Sequence, residues 1–128
     1  MTTIPKPLSV LHDDHQTWTR QLDFYRDELQ VLNNRLGEVS IHTTQQDVKA
    51  WVDHFETQLI IQNELIDELR HAIGVHEHTL ERQAQEYPVA SDYRRLEDHA
   101  EMRGQMQVFV RLYGEMKNDL NRFLSRTL

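Results

Sequence analysis

The sequence contains no cysteine, little glycine or proline, and no long apolar run. Without cysteine, neither a disulfide framework nor a cysteine nucleophile is available. The longest apolar runs, such as 59–61, have three residues, whereas a membrane-spanning helix needs about 20. A net charge of −7 without a basic run argues against binding to nucleic acid or to an anionic membrane. The N-terminus lacks the regions of a secretory signal, so we expect a cytoplasmic protein.

Four glycines and three prolines divide the chain into three long pieces. In each piece the apolar residues recur at steps of three and four, which is typical of an amphipathic helix. Pro7 precedes the first piece, Gly37 follows it in the position of a C-terminal glycine cap, and Pro88 ends the second. The pattern predicts helices over about residues 8–36, 45–86 and 92–126.

Long helices with short connections pack as antiparallel neighbours. We therefore expect residues 1–128 to form a single all-α domain, an antiparallel up-down-up bundle of three long helices. Some apolar residues, Phe24, Val31 and Ile60, fall outside the apolar stripes, and the second helix has an unusually wide apolar face. These features favour a homodimer, in which a partner chain could supply a fourth helix.

Histidine is unusually frequent, with eight residues in the chain. His15, His76 and His99 occupy apolar-stripe positions of the first, second and third helices, where leucine, methionine or phenylalanine is expected. Folding the chain back at its connections brings His76 and His99 to a similar height, but leaves His15 in the same layer or in a neighbouring one. His71 and His78 point away from the stripe, so we expect them to be solvated or to contact a partner chain.

Neutral imidazole is the commonest protein ligand for zinc, iron and copper, and bundle cores host such sites. The placement of His15, His76 and His99 therefore indicates a metal site in the core, with Zn or Fe expected rather than haem. His12 lies three residues before His15 on nearly the same helix face, which makes it the nearest additional ligand.

A different interpretation needs no metal. Buried histidines can instead be satisfied by a polar core network, which would suit a non-catalytic protein-interaction or scaffold bundle. The nearby polar candidates for such a network are Gln58, Gln62, Arg103 and Tyr113. A third interpretation makes the core histidines a pH sensor. No residue pair in the sequence identifies a reaction, so a non-catalytic role is favoured over an enzyme.

Two segments resemble the hemerythrin-like cation-binding domains. Leu11-His-Asp-Asp-His-Gln-Thr-Trp18 is similar to the opening of that family, in which a first-helix histidine follows an acidic residue. Glu97-Asp-His-Ala-Glu-Met-Arg103 is similar to a later ligand helix, which also begins with an acidic residue and a histidine. The family's His-x-x-x-Glu and His-x-x-x-His motifs do not occur here, and its domains have four helices. From the two matching segments alone, the resemblance implies a cation site with His15 and His99 as ligands.

Overall fold

The computed structural model describes residues 8–86 and 92–127, with side chains for 10–82 and 97–127. The described residues form three α-helices, α1 (Leu8–His42), α2 (Gln46–Glu86) and α3 (Asp92–Thr127), and no strand. Each helix packs against both others. The predicted all-α class is confirmed.

Ion pairs between α1 and α2 show that these two helices are antiparallel. Asp23 binds Arg70, whereas Arg26, one turn further along α1, binds Asp67, which lies one turn earlier on α2. Both pairs are exposed, so they reveal the register of the two helices but contribute little to stability.

Contacts between α1 and α3 show that these two helices are parallel. Asp14 binds His99, and Glu28, further along α1, binds Tyr113, further along α3. Since α2 runs against α1, the bundle is up-down-up as predicted.

The core is an apolar seam along the bundle axis, interrupted by the buried polar side chains of His15, Gln62 and His99. Several of its leucines have no exposed surface, and each such side chain stabilises the fold by about 1.5–3 kcal/mol through burial. The buried apolar side chains are Leu11, Trp18, Leu22, Leu29, Leu32, Leu36, Val39, Val52, Phe55, Leu59, Ile66, Ile73, Leu80, Met102, Met106, Phe109, Tyr113, Met116, Leu120, Phe123 and Leu124. Within the described chain, no helix combines the length and the apolar character that a membrane span requires.

The predicted end of the first helix at residue 36 is wrong, because α1 continues through Gly37 to His42. Val39 is buried one turn after Leu36 and extends the apolar stripe. Burying a valine contributes about 1.5–3 kcal/mol, which exceeds the cost of about 1 kcal/mol for glycine within a helix. The helix ends instead where Thr43 N donates to Val39 O at 3.1 Å. The other predicted boundaries agree with the structure to within one residue.

Candidate metal centre

One histidine from each helix enters a single layer near the end of the bundle that contains the start of α1. The ring centroid of His15 lies 5.0 Å from that of His76 and 5.3 Å from that of His99, and the last two are 6.1 Å apart. One ring nitrogen from each histidine lies within 4.8 Å of the other two. The structure therefore places His15 in the same layer as His76 and His99, which the sequence left open.

The layer is largely shielded from solvent. His15 and His99 are 3% and 2% exposed, while His76 is half-buried. Trp18 covers the layer from one side, because its ring stacks on His99 with a centroid distance of 4.9 Å. On α2 the residues one turn before and after His76, Ile73 and Leu80, are buried apolar side chains. Polar ring atoms in this layer consequently have little access to water.

Glu77 occupies the outer side of His15. The Nδ1 atom of His15 donates a hydrogen bond to Glu77 Oε2, and the Nδ1 atom of His12 donates one to Glu77 Oε1. The other ring nitrogen of His15, Nε2, is buried and has no hydrogen-bond partner among the described residues. One carboxylate thus fixes the His15 ring and leaves its second nitrogen unsatisfied.

Asp14 plays the same part for His99. His99 Nε2 donates to Asp14 Oδ2 at 2.8 Å, and Arg103 Nη2 lies 3.4 Å from the same oxygen. Nδ1 of His99 is buried without a partner in the described part of the chain. The tautomers follow from these contacts, since a ring nitrogen facing a carboxylate carries the proton.

The surroundings favour the neutral imidazole at His76 and at His99. Burial lowers the pKa of His76, and the neighbouring His15 lowers it further. Burial also lowers the pKa of His99, by more than the hydrogen bond to Asp14 raises it. For Glu77, burial opposes ionisation, but the hydrogen bonds and charge interactions with His15 and His12 together outweigh it and lower the pKa of the carboxyl group. Neutral imidazoles beside ionised carboxylates are the protonation states that metal binding requires.

The structure brings three of the four candidate ligands together and places the fourth elsewhere. His12 lies outside the layer and forms a neighbouring group with Glu77 and Glu81, in which one ligand atom of each residue lies within 4.8 Å of the others. Sequence reasoning missed both glutamates, because no motif distinguishes them from other acidic residues of α2. Asp14 lies within the stretch of residues 11–18, but no spacing pattern in the sequence links it to His99 on the third helix.

Among the described residues, the expected polar-network partners make no direct hydrogen bond to the three histidines, and Gln62 is itself buried with its Oε1 unpartnered. Arg103 reaches the layer only through Asp14, while Tyr113 donates to Glu28 at 2.7 Å in a separate contact. The carboxylates of Asp14 and Glu77 therefore accept the histidine hydrogen bonds that amide and phenol groups were expected to satisfy.

The arrangement has the chemical features of a histidine metal site. In such sites the ring nitrogen that does not bind the ion donates to a carboxylate, which orients the ring and strengthens the ligand. A tetrahedral zinc ion with bonds of about 2.0–2.1 Å would need ligand nitrogens about 3.3 Å apart. In the structure, one ring nitrogen of each histidine lies within 4.8 Å of the other two, so the nitrogens would have to approach one another to bind an ion. Three protein ligands would leave a fourth position for water.

The fold and this layer define the protein as a three-helix bundle with a buried three-histidine cluster. Comparisons with family models, curated proteins and solved structures found no match to the chain. The similarity to hemerythrin-like domains therefore remains a prediction.

Proposed function

We propose that the protein binds one divalent transition-metal ion through His15, His76 and His99, with Zn²⁺ or Fe²⁺ as the expected metal. The observation that carries the proposal is the pair of unpartnered buried nitrogens, His15 Nε2 and His99 Nδ1. A buried polar atom without a partner costs about 1–3 kcal/mol. An ion in the layer would satisfy both nitrogens at once.

The two carboxylates support the same proposal. Glu77 and Asp14 bind the outer nitrogens of His15 and His99, so each ring is already turned with its free nitrogen away from the carboxylate. Their negative charges would also offset part of the charge of a divalent ion in a poorly hydrated layer. Histidines held in this manner lose little freedom when a metal binds, which favours affinity.

The expected homodimer belongs to this proposal as well. Phe24 and Val31 on α1 and Ile60 on α2 are all more than half exposed. These side chains support association with a second chain, because a partner would remove their apolar surface from water. The metal layer lies within one chain and does not depend on such association.

The test is elemental analysis of untagged protein purified without chelator and then offered Zn²⁺ or Fe²⁺. We expect close to one equivalent of metal in the layer and the loss of that equivalent in His76→Leu, since leucine suits the apolar surroundings and removes a ligand. His71→Leu is the matched control, because His71 is an exposed histidine of the same helix. Unchanged metal content in His76→Leu, or a protein that takes up no metal, would contradict the proposal.

A metal-free interaction or scaffold bundle is the second candidate function. It is favoured by the fact that Glu77 and Asp14 already satisfy one nitrogen on each of two histidines. This candidate predicts no metal uptake. It also predicts that leucine at position 15, 76 or 99 leaves stability unchanged or raises it, because apolar packing can replace a polar network.

A further inference from the structure

A second group of ligand atoms lies on the outer side of the α1–α2 interface. His12, Glu77 and Glu81 each offer one atom within 4.8 Å of the other two. In contrast to the buried layer, this group faces solvent, since the His12 side chain is 44% exposed and Glu81 is exposed. We propose that these residues form a second divalent-cation site, weaker than the buried one and linked to it through Glu77. The linkage rests on the proposed function of the histidine layer.

The two oxygens of Glu77 allow both sites to be occupied together. Oε2 accepts from His15, whereas Oε1 accepts from His12. A cation at the outer group replaces the proton between Oε1 and His12 and leaves the contact between Oε2 and His15 in place. His12 can rotate to admit the ion at little energetic expense, because much of its side chain is in water.

The local charge favours a cation at this position. Glu77 and Glu81 are four residues apart on α2, a spacing at which like charges repel on a helix surface. Asp13 adds negative potential at His12. A divalent ion would relieve this repulsion, and one imidazole with two carboxylates is a donor set that suits Zn²⁺ and Mn²⁺.

The adjacent surface leaves room for the water ligands that an exposed ion retains. A groove of about 460 Å³ between α1 and α2 is lined by His12, Gln16, Thr19, Gly74 and Glu77, among others. Apart from Gly74 itself, its two neighbours in the chain and the local backbone of α2, no heavy atom lies within 4 Å of the position that a Cβ at Gly74 would occupy. The groove also contains arginines, of which Arg70 is paired with Asp23.

The outer site is expected to be the weaker of the two. Its ligands are mobile and hydrated, so binding must order them, whereas the buried rings are already fixed. Two divalent ions that share the neighbourhood of one carboxylate also repel each other. Binding should therefore occur in two steps, with the buried layer filled first.

Equilibrium dialysis against Zn²⁺, with the bound metal measured at each free concentration, tests the inference. We expect Glu81→Gln to lose one equivalent, the weaker one, relative to the unmodified protein. His76→Leu should lose the tighter equivalent, and the double variant should lose both. Glu64→Gln is the matched control, because Glu64 is an exposed glutamate elsewhere on α2 and should lose nothing. Circular dichroism of each variant verifies that the helices are retained.

The outcomes separate the two proposals. A Glu81→Gln variant that binds as much zinc as the unmodified protein, or that loses both equivalents, overturns the second site. If His76→Leu loses nothing while Glu81→Gln loses one equivalent, the buried site fails and the outer site stands without its linkage. If Glu64→Gln also loses one equivalent, the effect is a general consequence of reduced charge, and the second site is overturned.

Discussion

The two ends of the bundle use the same three helices and the same seam in different ways. At the end beside the α1–α2 connection, the core is entirely apolar, and the rings of Phe55 and Phe123 pack 5.3 Å apart. At the opposite end, the equivalent positions hold His15, His76 and His99, and one buried nitrogen of His15 and one of His99 have no partner among the described residues. At the apolar end every buried side chain stabilises the fold, whereas at the histidine end the desolvation of polar ring atoms destabilises it.

If the proposed metal binding holds, this difference separates the part of the bundle that stabilises the fold from the part that binds the ion. The apolar end holds the helices in register, so the histidine end can retain polar groups that packing alone would not select. Replacing a core residue at the apolar end should therefore lower the free energy of unfolding, whereas replacing a core histidine with leucine should leave it unchanged or raise it.

The largest effect is expected from truncating the apolar end. Phe123→Ala should lower the free energy of unfolding by about 3–5 kcal/mol, because it removes a buried ring and leaves a cavity against Phe55. Chemical denaturation of the metal-free protein measures the change. Ile41→Ala is the control at the same end, since Ile41 is 80% exposed, and it should change stability by no more than about 0.5 kcal/mol.

The contrast requires the opposite end to respond differently. Metal-free His76→Leu should leave the free energy of unfolding unchanged or raise it, because leucine removes a desolvated polar ring from an apolar layer. If His76→Leu were as destabilising as Phe123→Ala, the histidine layer would be part of the stabilising core, and the separation along the axis would be wrong.

Periodicity was sufficient to predict the helices, the core and the three core histidines. A residue such as Leu22 or Leu120 recurs with its neighbours every three or four positions, and this regularity persists over many turns. Helix direction then follows from short connections. The position of each histidine on its own helix was therefore readable from the sequence.

Contacts between helices were not readable, because they depend on register and on the geometry of the connections. The sequence did not determine whether His15 shares a layer with His76 and His99, because that depends on how α1 lies against α2. Glu77 is one residue away from the seam, and only that register brings it to His15. Gly37 misled the boundary prediction because glycine signals a helix end, while the later burial of Val39 decides otherwise.

A further prediction concerns the pH dependence of stability, which arises at the histidine end. Burial lowers the pKa of His76 and of His99 below the ordinary value of 6.5, so the unfolded chain binds more protons than the folded chain as pH falls. Metal-free protein should be most stable above pH 6.5 and should lose stability below it, with a slope of up to about 1.4 kcal/mol per pH unit for each proton. Chemical denaturation at about pH 7.5 and 5.5 measures the loss.

The sign of this effect can be checked within the same region. The hydrogen bond to Glu77 raises the pKa of His12. His12 therefore contributes to stability at low pH and loses that contribution as pH rises, which is opposite in sign to His76. His76→Leu should therefore reduce the acid-induced loss, whereas His71→Leu should not. Equal stability of the unmodified protein at both pH values would contradict the prediction and would also exclude the histidines as a pH sensor.

The smallest effect on stability is expected from replacing a helical glycine with alanine. It should be the same at both ends, because it depends on the local backbone rather than on the core. Gly37 lies inside α1 near the apolar end, and Gly74 lies inside α2 beside the groove near the histidine end. Neither has a positive φ, and an added Cβ would meet no atom within 4 Å at either position. Alanine at each should raise the free energy of unfolding by about 0.5–1 kcal/mol, because it restricts the unfolded chain. Loss of stability in Gly37→Ala, measured by chemical denaturation, would instead show that α1 ends at this glycine.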